Sequence, residues 1–271
     1  IKRNIFFEKE ILRIFSSVEE QNNWFTAADK PILNKFLSPN LLDDHDQLKS
    51  EFKLGRMKKA FLVDAVQILN YFHGQLLTKS SFYNLKFEHS KLLLLNDYLQ
   101  YENIKANGII FTEGSKALSN PYFSYLPIYG NRGDYLIFRS PTLNIDKLVK
   151  GKSFLIPLGN NLYKFGASFD RYNLTNETPP EFQNSLITSL KKMIKEDFEV
   201  IRFDSGLRPN VKDRRPILGK HPIFNNMYIM NGFGSRGIFM SPLLSKWLYD
   251  HIENNIDLPD KVDIRRFQSY F

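Results

Sequence analysis

The sequence predicts an α/β or α+β fold in which helices are interspersed with short strands. Apolar residues recur at helical spacing in several segments, and short apolar runs separated by polar turns occupy residues 82–112. Near the C-terminus, an apolar strand leads into a glycine-rich turn that opens a helix. With 271 residues, of which 42% are hydrophobic, the chain can bury a sizeable core in one large or two modest domains.

Two helices are predicted in the N-terminal third. Apolar side chains between residues 6 and 15 recur at helical spacing, so we expect a helix over residues 1–25, with Ser17 placed to cap its next turn. A polar loop follows around residues 38–46. A second helix is expected from about Val63 to Leu77, with Asp64 in its first turn.

The middle of the chain is predicted to be rich in antiparallel strands. A β-hairpin is expected around Gly159-Asn160-Asn161, a helix over residues 178–195, and a strand over Phe198–Phe203 that leads to Gly206. The strands of an earlier meander are Phe82–Phe87, Lys91–Leu95, Tyr98–Glu102 and Gly108–Thr112.

The stretch from Gly206 to Pro242 carries the residues best suited to binding chemistry. An arginine lies in the block Gly206-Leu207-Arg208-Pro209, and a guanidinium suits a carboxylate ligand. The turn Gly232-Phe233-Gly234-Ser235-Arg236-Gly237 precedes a helix that starts near Ile238. Its glycines leave backbone amides open to close approach, and the helix directs its positive end towards the same turn. These features predict a site for an anionic or electron-rich ligand.

The two blocks, with Asp213 and Pro216-Ile217-Leu218-Gly219 between them, resemble the C-terminal signature of the D-amino-acid oxidase-like (DAO) superfamily of FAD-dependent oxidoreductases. The G-x-G-S-R-G form is most similar to the oxidase domain of the bifunctional tRNA wobble-uridine modification enzymes, with glycine oxidases more distant. The strand ending at Gly114 is similar to one that the family places beside FAD, although Thr112-Glu113 stand where small residues are usual. Asn131-Arg132-Gly133 and an Arg-Phe pair in the C-terminal tail also resemble family segments.

This resemblance implies an incomplete FAD-binding Rossmann-like domain, residues 50–120 and 201–271, and an antiparallel-sheet substrate-binding domain, residues 1–49 and 121–200. The family's pyrophosphate loop, G-x-G-x-x-G in an N-terminal βαβ unit, is not found. Gly232, Gly234 and Gly237 match its letters, but neither a following strand nor an acidic ribose ligand is present. We therefore expect roughly 70–90 further N-terminal residues in the complete protein, and no activity from the 271 residues alone. A natural protein that has lost its nucleotide site is the alternative.

The resemblance further implies that FAD accepts a hydride from the carbon next to an amine, in an amine or amino-acid substrate. Arg208 is then the catalytic-site residue that pairs with the substrate carboxylate. Amides of the glycine turn stabilise negative charge on the flavin, and Arg236 contacts flavin or substrate. The implied cofactor-binding residues are Gly114, Gly206, Gly232, Gly234, Ser235, Arg236, Gly237 and Ile238.

Composition limits the other possibilities. The absence of cysteine excludes disulfides, thiolate catalysis and cysteine metal sites, and the five histidines are scattered without ligand spacing. No signal peptide and no apolar run of about 20 residues is present, so a cytoplasmic protein is expected. Of the remaining residues, His221 is expected to be structural, and Tyr163 and Tyr172 are considered as cavity tyrosines, with packing the preferred interpretation.

Two alternatives for function stay open. The net charge of +8 and the G-S-R-G match allow a tRNA wobble-uridine side-chain oxidase, with tRNA as its partner. In the second alternative, the chain is a non-catalytic carboxylate-binding module that has lost the flavin. Flavin content and salt-sensitive tRNA binding distinguish these alternatives from an amine or amino-acid oxidoreductase.

Overall fold

A computed structural model describes residues 5–96 and 98–271. The chain divides into two compact units. The first comprises the chain up to Phe82 together with Gly133–Phe169 and Thr175–Gly206. The second comprises Tyr83–Arg132, Asp170–Leu174 and Leu207–Phe271. Residues 50–82, which were expected with the flavin-binding part, therefore cluster with the first unit.

Strands and helices are mixed along the chain, which confirms the predicted α/β class. The α-helices are α1 (Val18–Ala28), α2 (Ala65–Thr78), α3 (Pro180–Lys191) and α4 (Gly237–Asn254). The strands are β1 (Phe6–Ile14), β2 (Leu54–Val63), β3 (Leu92–Leu94), β4 (Leu99–Tyr101), β5 (Ile104–Ala106), β6 (Ile109–Phe111), β7 (Ile128–Arg139), β8 (Leu148–Lys150), β9 (Phe154–Gly159), β10 (Leu162–Gly166), β11 (Glu199–Val211), β12 (Ile217–Lys220) and β13 (Met227–Asn231). None of the described helices is long and apolar enough to cross a membrane.

A seven-stranded sheet in the order β11-β7-β10-β9-β8-β1-β2 dominates the first unit. The pair β1–β8 is parallel, whereas β1–β2, β7–β10, β8–β9 and β9–β10 are antiparallel. Helix α3 buries Leu186 and Leu190 in the core cluster that also contains Leu136, Phe138 and Phe165 from the sheet. This largely antiparallel layer is the kind of sheet that the sequence predicted.

The predicted helix over residues 1–25 is only partly correct. Residues 6–14 form strand β1, which pairs with β2 from Phe6↔Val63 to Ile14↔Leu54. Strand pairing and burial of Leu12 in the sheet core prevail over the helical spacing of the segment. Ser17 does cap a helix, because its Oγ accepts from the Glu20 amide at 3.1 Å at the start of α1.

Two further predictions in this unit are confirmed. Helix α2 begins after Asp64, whose Oδ1 accepts from the Gln67 amide at 2.9 Å. The β9–β10 hairpin turns at Gly159, Asn160 and Asn161, all three of which have positive φ. Glycine and asparagine adopt that backbone conformation more readily than other residues.

The second unit contains two three-stranded sheets. One has the order β12-β13-β6, with β6 parallel to β13, and the other is the antiparallel meander β3-β4-β5. Three of the four predicted meander strands form, whereas residues 82–87 do not form a strand and β5 was not predicted. Helix α4 packs Leu244 and Leu248 in an apolar cluster with Leu218 and Leu258, and it is followed by the C-cap residue Asn255, which has φ of +54°.

Candidate active site

The glycine turn lies between β13 and α4, as predicted, and two of its glycines are required by the backbone. Gly232 has φ of +78° and Gly234 has φ of +56°. A Cβ on Gly232 would lie 2.3 Å from Val211 Cγ2, and one on Gly234 would lie 2.8 Å from Asn210 Oδ1. Both contacts are with side chains of β11, so a larger residue at either position would require the side chain of Val211 or Asn210 to move.

The two halves of the signature are joined by a hydrogen bond. The Gly234 amide donates to the Pro209 carbonyl at 2.8 Å, which holds the turn against the strand segment that carries Arg208. Arg208 itself is half-buried on β11. The structure therefore brings the predicted substrate arginine and the predicted flavin turn into the same part of the second unit.

Asn231 connects this turn to Gly114, and the sequence analysis did not identify it. Its side-chain amide donates to the Gly114 carbonyl at 2.9 Å, while its Oδ1 accepts from the Gly232 amide at 2.7 Å. Asn231 is only 3% exposed, so both partners are needed to satisfy a buried polar side chain. The position of an asparagine between an apolar strand and a glycine is the sequence pattern that could have indicated the role of Asn231.

The start of α4 presents unused amide donors. Among the hydrogen bonds of the described residues, none has the amide of Ser235, Gly237 or Ile238 as donor, and the N-cap residue Arg236 makes no side-chain cap. Ser235, Arg236 and Ile238 are exposed. Because the first turn of a helix carries partial positive charge, these amides fit a negatively charged or electron-rich acceptor.

Gly114 lies beside this turn, but its neighbours depart from the family pattern. It has φ of +61°, a conformation that favours glycine. Glu113 is held by two side chains: its Oε1 lies 2.9 Å from His89 Nε2, and its Oε2 accepts from Asn120 Nδ2 at 2.7 Å. The carboxylate therefore has its own partners within the unit, in a position where the family usually has a small residue.

Gly206 differs from the other glycines predicted to bind the cofactor. It is exposed on β11, its φ lies outside the left-handed region, and no atom lies within 4 Å of the position that a Cβ would take. Nothing in its local geometry requires glycine, and its role stays a prediction.

The loop between the two signature blocks is fixed by the C-terminal tail. Arg266 donates from Nε to Asp213 Oδ2 at 2.8 Å and from Nη2 to the Pro216 carbonyl at 2.9 Å. Burial opposes ionisation of Asp213, but hydrogen bonds from Arg266 and from the Arg215 amide outweigh it and lower the pKa of the carboxyl. The Arg-Phe pair of the tail thus has a clear structural role in this chain.

Three other residues singled out in the sequence, Arg132, His221 and Tyr163, pack within the fold. Arg132 is fully buried, and its Nη2 lies 3.0 Å from Asp170 Oδ2. His221 Nε2 donates to the Tyr122 carbonyl at 2.9 Å while Nδ1 accepts from two amides, and burial lowers the pKa of its imidazole. Tyr163 stacks on Phe138 in the core, whereas Tyr172 is 98% exposed. Among the described residues, no group of three histidine, aspartate or glutamate side chains could hold a metal ion.

Comparison with known proteins identifies relatives that are similar in sequence to about half of the chain. A glycine oxidase from Geobacillus kaustophilus (strain HTA426) is 24% identical over 132 residues, which cover 47% of this chain and 35% of that protein. The tRNA 5-methylaminomethyl-2-thiouridine biosynthesis bifunctional protein MnmC from Idiomarina loihiensis is 30% identical over 154 residues, covering 53% of this chain and 25% of that protein. The chain thus matches about a third or less of the length of each of these two relatives.

Solved structures show that the similarity extends to the fold. The iminodiacetate oxidase IdaA from Chelativorans sp. BNC1 superimposes with a TM-score of 0.77 at 16% identity, covering 97% of this chain and 76% of that one. The family model described as FAD dependent oxidoreductase (DAO) matches residues 97–251, which is more than half of the chain and includes Gly114, Arg208 and the glycine turn. The chain therefore belongs to the DAO family of FAD dependent oxidoreductases.

Proposed function

We propose that this protein takes part in the oxidation of a carbon–nitrogen bond in an amine or amino acid, by hydride transfer to FAD. The observation that carries the proposal is the Gly234–Pro209 hydrogen bond, which holds the segment of Arg208 beside the unused amides at the start of α4. The glycine oxidase relative and the iminodiacetate oxidase neighbour, whose names denote amine-containing substrates, support it.

The residues present fit the electron-rich edge of a flavin. The amides of Ser235, Gly237 and Ile238 would hold that edge, and the left-handed glycines at 114, 232 and 234 keep side chains away from the turn. The exposed Arg236 would add a positive charge beside it. When bound, FAD supplies the two-electron acceptor that side chains lack.

Arg208 would bind the substrate. A guanidinium forms two parallel hydrogen bonds with a carboxylate, and this fork fixes both the position and the direction of a small amino acid. Holding the substrate in one orientation lowers the entropic part of the barrier to transfer of its α-hydrogen. The assignment of residues 50–120 and 201–271 to the FAD-binding domain, and of residues 1–49 and 121–200 to the substrate-binding domain, stays a prediction.

The experiment is an absorbance spectrum and an activity assay of the product of the complete gene. Oxidised flavin bands at about 370 and 450 nm, bleached on addition of glycine, sarcosine or another small amine, are the expected result. Failure to bind FAD, even when FAD is added during purification, would overturn the proposal and favour the non-catalytic carboxylate-binding module. The predicted cytoplasmic location and the inactivity of the 271 residues alone stay predictions.

A second candidate function is oxidation of an amine side chain on tRNA. It is favoured by the 30% identity with the bifunctional tRNA protein and by the G-S-R-G form of the glycine turn. In that case the flavin would be bleached by modified tRNA and not by free amino acids, which separates the two candidates in a single spectroscopic experiment.

A further inference from the structure

A cavity of about 390 Å³ in the second unit is lined by three cations, Arg171, Lys212 and Arg214. None of the acidic residues that the structure describes lines it. Arg215 follows in the chain, and Arg236 Nη2 donates to the Arg214 carbonyl at 3.1 Å. These five residues, which we term the basic cluster, are all exposed.

The charges of the basic cluster are only partly balanced within the described chain, because Arg215 attracts the Asp213 carboxylate and helps to lower its pKa. Within residues 5–96 and 98–271, no carboxylate oxygen lies within 4.0 Å of a side-chain nitrogen of these five residues. Asp213 lies in the same turn, but its carboxylate accepts from Arg266. A run of charges on an ordinary surface is usually interspersed with the opposite sign, so this concentration indicates an anionic ligand.

The backbone that carries the cluster is fixed in place. The Lys212 amide donates to the Pro127 carbonyl at 3.2 Å, and the Arg214 amide donates to the Val211 carbonyl at 2.9 Å. Arg214 has φ of +59°, which is uncommon for a residue other than glycine, asparagine or aspartate. Lys212 and Arg214 therefore extend from a defined turn.

An aromatic ring lies among the cations. Tyr129 is half-buried in the cavity wall, and the Arg171 guanidinium lies 5.2 Å from the centre of its ring. The bases of single-stranded nucleic acids stack on aromatic rings and guanidinium planes of this kind. Neighbouring cations bind the phosphates of the strand.

We propose that the basic cluster and Tyr129 bind the phosphate backbone and a base of single-stranded RNA. Three cations line the cavity, and Arg215 and Arg236 adjoin Arg214 outside it. This spread of charge exceeds what a single carboxylate or phosphate needs, whereas a strand presents successive phosphates. This inference goes beyond the proposed oxidation, because such binding requires neither flavin nor turnover.

The test is fluorescence anisotropy with a fluorescein-labelled single-stranded RNA of about 12 nucleotides, titrated at salt concentrations from about 50 to 200 mM. The variant Lys212→Gln/Arg214→Gln is compared with the control Lys220→Gln/Lys261→Gln, which removes two exposed positive charges elsewhere in the same unit. We expect the cluster variant to bind roughly tenfold more weakly and its log–log salt slope to fall by about 2, while the control stays close to wild type.

A second variant, Tyr129→Leu, tests stacking separately, and circular dichroism verifies that each variant is folded. We expect Tyr129→Leu to weaken RNA binding by roughly tenfold with an unchanged salt slope, because the charges remain. No binding by wild type, or equal loss in the cluster and control variants, would overturn the inference. So would equal affinity for a poly-glutamate peptide, which would show that charge alone is recognised. If the flavin is bleached by free amino acids but the protein binds no RNA, only this inference is contradicted. If the protein binds RNA but contains no flavin, only the proposed oxidation is contradicted.

Discussion

The side-chain amide of Asn231 donates to the carbonyl oxygen of Gly114, and this contact joins the ends of two parallel strands. Strand β13 ends at Asn231, and β6 ends three residues before Gly114. The same side chain accepts from Gly232, so one buried amide orients the backbone on both sides of the candidate flavin turn. Removing the Asn231 side chain therefore breaks two hydrogen bonds at once.

We expect Asn231→Ala to lower the free energy of unfolding by roughly 1–3 kcal/mol for each buried group left without a partner. Those groups are the Gly114 carbonyl and the Gly232 amide. Asn231→Asp retains the acceptor for Gly232 but places a buried carboxylate oxygen against the Gly114 carbonyl, so at neutral pH we expect it to destabilise the protein at least as much as Asn231→Ala. Urea denaturation measures both. The exposed Asn225→Ala is the control, and equal stabilities for all three variants would contradict the role given to Asn231.

Glycines in the turn offer a matched pair of substitutions. Gly232→Ala places a Cβ 2.3 Å from Val211 in a left-handed backbone, whereas a Cβ on Gly237 would lie 3.8 Å from Phe233, an ordinary contact. We expect Gly232→Ala to destabilise the protein by at least about 1–3 kcal/mol, and to reduce FAD binding by displacing the turn. Gly237→Ala should leave stability almost unchanged. Thermal unfolding distinguishes them, and a reversed order would mean that the turn has a different conformation.

The Asp213–Arg266 pair predicts a pH-dependent contribution to stability. The pKa of Asp213 is lowered in the folded protein, so its contribution is fully present above its unfolded value of about 3.9 and is lost as the pH falls through the folded value. We therefore expect Asp213→Asn to reduce stability at neutral pH, with the difference from wild type disappearing in strong acid. Chemical denaturation at several pH values measures this, with the exposed Asp260→Asn as control. A difference that grows on acidification would contradict the sign.

The C-terminal glycine turn and the helix after it could be predicted because their determinants are local. Gly232 and Gly234 need a left-handed backbone, and their spacing from the helix is readable in the chain. Strand β1 could not be predicted, because the segment also has helical spacing and its partner β2 begins 40 residues after β1 ends. Asn231 and Gly114 are likewise far apart in sequence, and only the parallel pairing of β6 with β13 brings them together. Contacts of this kind depend on topology, which residue patterns specify weakly.

Arg208 offers the most direct test of the proposed substrate. If its guanidinium binds a carboxylate through two hydrogen bonds, Arg208→Lys retains the charge but loses the fork. We expect kcat/KM for a small amino acid to fall roughly 10²-fold or more, about 3 kcal/mol of transition-state stabilisation, while the flavin spectrum is unchanged. Arg202→Lys is the control on the same strand, because Arg202 is exposed and pairs with Asp204. An amine that lacks a carboxylate should be oxidised equally by wild type and by the Arg208→Lys enzyme. Equal kcat/KM values for the amino acid in wild type and variant would show that Arg208 does not bind the carboxylate.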